Sequence, residues 1–573
     1  RPLLERYIMR KYKKFYWLND DARTFLSRGY LEEKEKPQDR IRVIADKAEW
    51  YLKDMAKTKA SKAKYDGFAD KFYDYMSRGF YSLASPIWAN YGKERGLPVS
   101  CFGSFIDDSM QAILFGHAEN GMLMKNGGGT SGYFGAIRHR GAPIRDSGES
   151  SGSVHFMQMY DTLASVVSQG SVRRGFFAAY QDIEHPDADE FLDIGTEGNP
   201  IQGLTTGINV SNKFIDEMKA GDPEKRRLWA KVLQRRSEIG FPYILFSDNV
   251  NDGRPQVYKD KDMRVHASNM CAEIALPSSH EETFTCVLSS LNVLHWDEIK
   301  ETDAIETLTM FLDTVCEEFV RKTAGQIYMK RARDFAMKHR ALGAGILGWH
   351  SHLQSKMISF ESKEAAQLNL EIAKTMQEKS YEASRQMAKT LGEPELLEGY
   401  GMRNTTTMAI APTKSSSFIL GQVSQSIEPE FSNAYVKYLA KMKVTIRNPY
   451  LKELLIEKEQ DTPDVWESIK NRDGSVQHLE FLTEDERAVF KTFSEISPNT
   501  IIDQAAIRQE YIDQSQSLNL MLDPDMTVKD INALYLYANE MGVKSLYYAY
   551  SMSAAQSLTR KRVMSADCAA CEA

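Results

Sequence analysis

The six cysteines of this 573-residue chain stand at positions 101, 271, 286, 316, 568 and 571, and one of them sits among other groups able to do chemistry. In Ser268-Asn269-Met270-Cys271-Ala272-Glu273-Ile274-Ala275-Leu276-Pro277, the residues Asn269, Cys271 and Glu273 alternate. Residues two apart face the same way in an extended strand or loop. An amide, a thiol and a carboxylate are therefore expected to converge. An amide orients hydroxyls, a thiol does nucleophilic or radical work, and a carboxylate takes a proton. Fifteen positions after Cys271 comes Cys286, in Thr285-Cys286-Val287-Leu288-Ser289-Ser290-Leu291-Asn292. Alternation alone favours a plainer reading, two buried strand cysteines beside a solvated glutamate.

Three further segments carry reactive or binding groups. Cys568-x-x-Cys571 ends the chain with no other Cys or His near it in sequence. A structural zinc site needs about four ligands, so a local zinc knuckle is disfavoured. A dithiol on a mobile arm can instead exchange disulfides, which implies a disulfide elsewhere that must be regenerated. Ala411-Pro412-Thr413-Lys414-Ser415-Ser416-Ser417-Phe418 clusters hydroxyls and backbone N–H groups suited to phosphate oxygens at a helix start. Taken alone it is also an ordinary helix cap. In Ser545-Leu546-Tyr547-Tyr548-Ala549-Tyr550 the paired tyrosines are either packing or carriers of an electron and a proton.

The elements that must position these groups are partly legible. Ile44, Ala48, Tyr51, Leu52 and Met55 recur at helical spacing, and residues 1–95 read as mostly helical. Residues 303–323 predict a helix with Ile305, Leu308, Leu312, Val315 and Phe319 on one face and Cys316 beside it, a small buried hydrophobe. Residues 362–391 predict a long helix with Ser362 as N-cap and Gly392 as its stop. Glycine clusters at 126–132, 147–152 and 168–175 suggest an α/β domain with working loops at one rim. None has the spacing of a phosphate loop or a dinucleotide fingerprint. Residues 457–490 are polar and predict a surface excursion, and the chain from about Ser551 reads as a flexible tail.

Composition bounds the rest. With 42% hydrophobic and 26% charged residues the chain is an ordinary globular one. A net charge of −7 excludes a chain-wide nucleic-acid footprint. No apolar run reaches the ~18–20 residues of a membrane span, and the start lacks a signal-peptide apolar core. The expected setting is the reducing cytoplasm, without membrane or direct nucleic-acid partners.

In this order along the chain, the motifs resemble the catalytic large (α) subunit of ribonucleotide reductase. The likeness runs from about Ser85 to Cys571. It is carried by Asn269 to Pro277, the Cys286 segment, Pro412 to Ser417, Asp513-Gln514-Ser515-Gln516-Ser517-Leu518-Asn519-Leu520 and Leu546-Tyr547-Tyr548. Ser85-Pro86-Ile87 and Val99-Ser100-Cys101 add to it. The resemblance implies a ten-stranded α/β barrel over 85–550 with a central finger loop tipped by Cys271. A mainly helical region (1–84) would precede the barrel, and a redox-active tail (551–573) would follow it.

The resemblance also implies a reaction. Cys271 becomes a thiyl radical and takes the 3′ hydrogen of a ribonucleotide, expected to be a diphosphate. Glu273 accepts the 3′-hydroxyl proton and Asn269 holds the sugar hydroxyls. Cys101 protonates the departing 2′-hydroxyl, and Cys101 and Cys286 supply two electrons and close a disulfide. Cys568 and Cys571 reopen it, and thioredoxin or glutaredoxin reduces them in turn. Thr413, Lys414, Ser415, Ser416 and Ser417 would cradle the phosphates, with Ser85, Ser100 and Gly129 near the substrate. Tyr548 and then Tyr547 would relay a radical from a separate β subunit, the mark of class I. No metal or cofactor is then expected on this chain, the metal residing in β. The alternative is a class II enzyme, which would bind adenosylcobalamin. The tail pair and Glu273 argue against a glycyl-radical enzyme.

By position, Asp108 would bind the sugar of a dNTP or ATP effector, Arg138 and Arg145 its phosphates. The 168–175 segment would be the communicating loop of a homodimer. Only 100 residues precede Cys101, so no N-terminal ATP cone is expected, provided that Arg1 is the native start. Two readings of other classes are a silent dNTP-binding regulator, which should have lost a catalytic residue, and a thiol oxidoreductase built on the tail pair.

Overall fold

The computed structural model describes residues 13–169, 173–439 and 442–551. The strands of the main sheet are β1 (Tyr81–Leu83), β2 (Cys101–Phe105), β3 (Gly129–Tyr133), β4 (Phe177–Asp182), β5 (Thr205–Val210), β6 (Tyr243–Phe246), β7 (Phe284–Asn292), β8 (Leu342–Leu347) and β9 (Ser545–Leu546).

Strands β2 to β6 pair in parallel, each with the next. Helices such as Met110–Lys125, Ser153–Val166 and Pro223–Ile239 make the crossovers that parallel pairing requires. A second parallel series runs from β7 to β8, then through bridges from Ala344 to Met408 and from Ile410 to Gln516. Backbone bonds from Tyr547 N to Leu518 O (2.8 Å) and from Leu520 N to Tyr548 O (3.0 Å) carry it on to the 545–549 segment. The two series join antiparallel at both seams, β2 with β7 and β6 with β9. The sheet thus closes as a barrel of two five-stranded halves, as the resemblance implied. β1 extends the β2 edge of β7.

All nine residues of β7 are buried, the continuous burial of a strand covered on both faces. The helix predicted at 303–323 spans Ala304–Lys322, with Ile305, Leu308, Leu312, Val315 and Phe319 buried. Cys316 is buried beside them and burial pushes its thiol up to about 12, so it is core. The long helix spans Lys363–Leu391. The Ser362 side chain caps it, and Gly392, with φ of 101°, ends it. Helix Pro37–Met55 packs its apolar stripe against Phe68–Ser77 and the barrel's Ala304–Lys322.

Residues 457–490 do more than line the surface. Trp466, Ile469, Val476, Leu479, Leu482, Val489 and Phe490 form a separate apolar cluster with Leu451 and Leu455. Its apolar residues are spaced among charged ones over three short helices, Pro449–Glu457, Pro463–Asn471 and Glu484–Val489, and the turns between and after them, too short to show a periodic stripe.

Candidate active site

The segment joining the strand region of β6 to β7 enters the barrel, and residues 267–278 are buried along their whole length. An irregular buried segment must find partners for its backbone groups, and the barrel supplies them from both halves. From the first half, Ser131 Oγ on β3 donates to Ser268 O at 2.8 Å and the Tyr180 hydroxyl on β4 to Asn269 O at 2.7 Å. Asn209 Nδ2 on β5 donates to His266 O at 2.6 Å. From the second half, Ser517 Oγ donates to Cys271 O at 2.5 Å and Ser545 Oγ to Ala272 O at 2.6 Å. Ser515 N donates to Glu273 O at 2.9 Å. The polar run Asp513 to Ser517 is explained by this. It is a buried segment whose hydroxyls and amides face another backbone rather than water.

The tip departs from the expected alternation. Residues 269–272 form a turn, with Ala272 N donating to Asn269 O at 3.3 Å and Ala272 at φ +62°. The Asn269 side chain closes the turn, its Oδ1 accepting the N–H groups of Glu273 (3.2 Å) and Ile274 (3.3 Å). Convergence of Asn269, Cys271 and Glu273 therefore comes from a capped turn and not from the period of a strand. One consequence is that the Asn269 oxygen is committed to the loop. Its Nδ2 faces the site and contacts Cys101 Sγ at 3.6 Å.

Glu273 is fully buried and burial raises its carboxyl from the ordinary 4.5 to about 7, against bonds from its own backbone N–H, Asn269 and Ser517 that lower it. Oε2 accepts the Ser517 hydroxyl at 3.2 Å, while Oε1 is buried with no hydrogen-bond partner. A carboxylate with an unused oxygen and a value near neutrality is suited to proton transfer.

Cys101 on β2 and Cys286 on β7 are register partners at the seam between the barrel halves. Directly opposed residues of an antiparallel pair have Cβ atoms about 4.5–5.5 Å apart, a short movement from disulfide geometry. Both are buried thiols outside any disulfide. Burial pushes Cys286 well above its ordinary value; a Gln514 N–H bond opposes this, and Cys101 and Glu273 add to it. Cys286 is therefore held as a neutral thiol. Gly343 on the adjacent β8 makes room for it, since a Cβ there would lie 2.4 Å from Leu288 Cδ2 and 3.1 Å from Cys286 Sγ.

The Tyr547 hydroxyl approaches Cys271 Sγ at 3.5 Å. The Tyr547 and Tyr548 rings lie 4.4 Å apart. Tyr243 on β6 packs on both, at 4.7 and 5.1 Å, and is fully buried. Tyr550 stacks on Tyr548 at 5.9 Å and 23°. Asn519 Oδ1 accepts Tyr548 N at 3.0 Å, and Arg236 Nη1 donates to Tyr547 O at 2.7 Å. The pair is thus fixed by its backbone on both sides.

The hydroxyl cluster begins the short helix Lys414–Ile419, with Thr413 as N-cap at φ +56°. Thr413, Ser415, Ser416 and Ser417 are buried. Ser82 Oγ donates to Ser416 O at 2.9 Å, which ties this turn to the strand preceding Ser85. Ser100 Oγ lies 3.7 Å from Cys101 Sγ, and Gly129 N donates to Ser100 O at 2.6 Å. Ser100, Cys101, Asn269 and Gly129 therefore form one neighbourhood, and Ser85 and 413–417 another, both on the β2–β7 side of the barrel.

Asp108 and Arg138 meet directly, Arg138 Nε donating to Asp108 Oδ2 at 2.9 Å, beside the start of helix Met110–Lys125. Arg145 is exposed on the following hairpin. Within the glycine-rich segment at 168–175, residues 168–169 pair antiparallel with 173–174, and 170–172 lie outside the described residues. Cys568 and Cys571 also lie outside them.

Family models describe most of this chain. The ribonucleotide reductase barrel domain matches residues 99–225, 222–396 and 394–549, and its all-alpha domain matches 9–96. The chain belongs to the ribonucleotide reductase large-subunit family. The putative ribonucleoside-diphosphate reductase large subunit of Frog virus 3 is 35% identical over 85% of this chain and 89% of its own length. Large chain 2 of the Saccharomyces cerevisiae ribonucleoside-diphosphate reductase is 27% identical, over 85% of this chain and 65% of its own. Among solved structures, the α subunit of the Actinobacillus ureae class Id ribonucleotide reductase is 55% identical. It has a TM-score of 0.88, over 95% of this chain and 98% of that one. Membership makes the chain an oxidoreductase of deoxyribonucleotide synthesis, and its relatives favour class I over class II.

The family's reactive groups gave no role to Tyr243, Tyr180 or Ser131, and Gln514 stood only within the motif Asp513 to Leu520, without one. Tyr243 sits in the apolar run Phe241 to Phe246, where an aromatic is unremarked. For Gln514 and its neighbours the signal was available, as polar residues in a run that must otherwise be buried.

Proposed function

We propose that this chain reduces ribonucleoside diphosphates to 2′-deoxyribonucleotides through a thiyl radical on Cys271, with a separate metal-bearing β subunit as the source of the radical. The metal in β supplies the oxidising equivalent. Tyr548 passes it to Tyr547, and Tyr547, whose hydroxyl stands 3.5 Å from Cys271 Sγ, takes the hydrogen of the Cys271 thiol once that cysteine, disulfide-bonded in this structure, has been reduced. The thiyl radical removes the 3′ hydrogen while Glu273 Oε1 accepts the 3′-hydroxyl proton. Cys101 protonates the 2′-hydroxyl, which leaves as water. Cys101 and Cys286 together give two electrons and two protons and close a disulfide. One proton leaves in the water, and the other proton with the two electrons becomes the new C2′ hydrogen. Cys271 and Glu273 return the hydrogen to C3′ and the proton to the 3′-hydroxyl, which restores the thiyl radical. Burial of the loop keeps the radical from solvent.

The observation that carries this reading is the Tyr547–Cys271 contact, which gives a class I relay a terminus. The phosphates are assigned to Thr413, Lys414, Ser415, Ser416 and Ser417, with Ser85, Ser100 and Gly129 lining the substrate. We assign reopening of the disulfide to Cys568 and Cys571, with thioredoxin or glutaredoxin as their reductant. Asp108, Arg138 and Arg145 are assigned to a dNTP or ATP effector. The Asp108–Arg138 pair would open to receive it, exchanging one charge-assisted contact for another. A homodimer is supported by exposed Met110, Leu114 and Met122 beside Val166, Ile327 and Tyr328, an apolar face of the kind that marks an interface. No helix among the described residues is long and apolar enough to cross a membrane, and the thiols of Cys101, Cys286 and Cys316, outside any disulfide, fit a reducing cytoplasm.

The test is deoxynucleotide formation from a ribonucleoside diphosphate with dithiothreitol and an effector, run with the cognate β subunit and separately with adenosylcobalamin. Product only with β is expected, and Cys271→Ser should abolish it while nucleotide still binds. Product with the cobalamin alone would overturn the class I assignment and return Tyr547 and Tyr548 to packing. No product with either would favour a silent nucleotide-binding regulator.

A further inference from the structure

Gln514 takes no part in the reaction above, yet its buried side chain stands between the finger loop, β8 and Cys286. Its Oε1 accepts the backbone N–H of Ala275 at 3.1 Å, and its Nε2 donates to the Leu342 carbonyl at 3.0 Å. A backbone N–H only donates and a carbonyl only accepts. These two groups leave the amide a single orientation, in which nitrogen and oxygen cannot be exchanged. That orientation aims Nε2 also at Thr406 Oγ1 (3.0 Å) and Cys286 Sγ (3.3 Å). Thr406 Oγ1 donates to Leu342 O at 2.9 Å, so Nε2 is shared among that carbonyl, the threonine oxygen and the sulfur, and its pull on the sulfur strengthens when the sulfur gains charge. Cys286 therefore faces a donor whose direction is dictated by two strands and a loop.

The sulfur has need of one. Its other neighbours are the Val287 carbonyl, an acceptor at 3.9 Å, Cys101, and the carboxyls of Glu273 and Asp513, none of which stabilises a negative sulfur. Reopening a disulfide by exchange requires one of its sulfurs to leave as a thiolate. We propose that Gln514 is a positioning residue for Cys286, which holds its sulfur toward Cys101 and stabilises it as the leaving thiolate when the Cys101–Cys286 disulfide is reduced. The proposal rests on the assignment of these two cysteines as the reductant pair. An external dithiol attacks Cys101 Sγ through one thiolate. The Cys101–Cys286 bond breaks, and its electron pair goes to Cys286 Sγ, which then takes a proton. The second thiol of the dithiol closes the external disulfide and releases Cys101 as a thiol. The bond from Gln514 to Ala275 also joins this event to the loop that carries Cys271.

The experiment uses the full chain with Cys568→Ser and Cys571→Ser, so that the Cys101–Cys286 disulfide is the one followed. After a single turnover, its reduction by dithiothreitol is timed in the parent, in Gln514→Met, which keeps the length and removes the donor, and in Gln514→Glu. Release of tritium from a 3′-tritiated ribonucleotide and the substrate KM are measured in parallel, as readouts of steps before Cys286 acts. Reduction is expected to slow by at least about tenfold in Gln514→Met, the effect of one hydrogen bond to a charged atom, with tritium release and KM unchanged. Gln514→Glu should be slow at high pH and recover as pH falls, because a protonated carboxyl can donate and a carboxylate cannot. Reduction within twofold of the parent in both variants overturns the proposal. So does a fall in tritium release in step with reduction, which marks a general structural role. If Gln514→Met does not fold, the pH response of Gln514→Glu decides. A parent that turns over without forming the disulfide removes the reductant-pair assignment and the proposal with it.

Discussion

Glu273→Gln should abolish turnover and yet stabilise the protein at alkaline pH. The carboxyl is fully buried and raised from 4.5 to about 7 by that burial. A carboxyl whose folded value lies above its unfolded one contributes stability below the unfolded value. That contribution is lost as pH rises through the folded one. Between pH 4.5 and 7 the folded state binds the proton more tightly, and above pH 7 it must carry a buried charge. A shift of about 2.5 units at ~1.36 kcal/mol each comes to roughly 3 kcal/mol, with no discount for exposure. Gln is neutral at every pH, so the variant escapes this cost above pH 7 and has nothing to escape below 4.5. For a chain of this length unfolding as one unit, that is about 3 °C in Tm. The assay is the difference in Tm between variant and parent at pH 5 and at pH 8.5. The Tm difference should be more positive at pH 8.5 by about 2 °C, since about 1 kcal/mol of the effect is already present at pH 5, and the comparison cancels any pH-independent effect of the new amide. The parent's kcat/KM should rise with pH through a limb near 7, as Glu273, the proposed acceptor of the 3′-hydroxyl proton, becomes ionised. Equal Tm differences at the two pH values, or a parent profile flat between pH 6 and 8, would refute the reasoning.

Tyr547→Phe keeps the ring contacts with Tyr243 and Tyr548 and loses one long hydroxyl contact to Cys271. Turnover with β should fall at least about a thousandfold (some 4 kcal/mol of barrier), while Tm changes by about 1 °C or less; a variant retaining a tenth of the activity would remove Tyr547 from the relay. Gly343→Ala forces a Cβ against Leu288 Cδ2 and Cys286 Sγ and should cost about 1–3 kcal/mol. Its deoxynucleotide yield in a single turnover should fall while substrate binding holds, and an unchanged yield would show that Cys286 tolerates displacement. Cys568→Ser with Cys571→Ser should stop thioredoxin-driven multiple turnover after the prereduced thiols are consumed, with rescue by dithiothreitol. Undiminished turnover with thioredoxin would exclude the tail from the redox cycle.

What the sequence determined by itself was local. The capped helix Lys363–Leu391 was legible, because a cap, an apolar stripe and a terminating glycine all lie within one element. The reactive types were legible too, since a thiol, an amide and a carboxylate within five residues are uncommon whatever holds them. The manner of their convergence was not. Alternation suggested a strand, and the structure has a turn capped by the Asn269 side chain, because the loop's partners come from β3, β4, β5 and the 514–517 and 545 segments. The pairing of Cys101 with Cys286 also belongs to the tertiary structure. These residues are 185 positions apart and meet only because the two halves of the barrel join antiparallel at that seam. Tyr547 reaches Cys271 across 276 positions through closure at the other seam. Periodicity reports which face of an element is apolar, whereas such contacts depend on which elements pair and in what register. The closed barrel decides that, and it places Tyr547, the opposed Cys101 and Cys286, and the buried Glu273 around one loop.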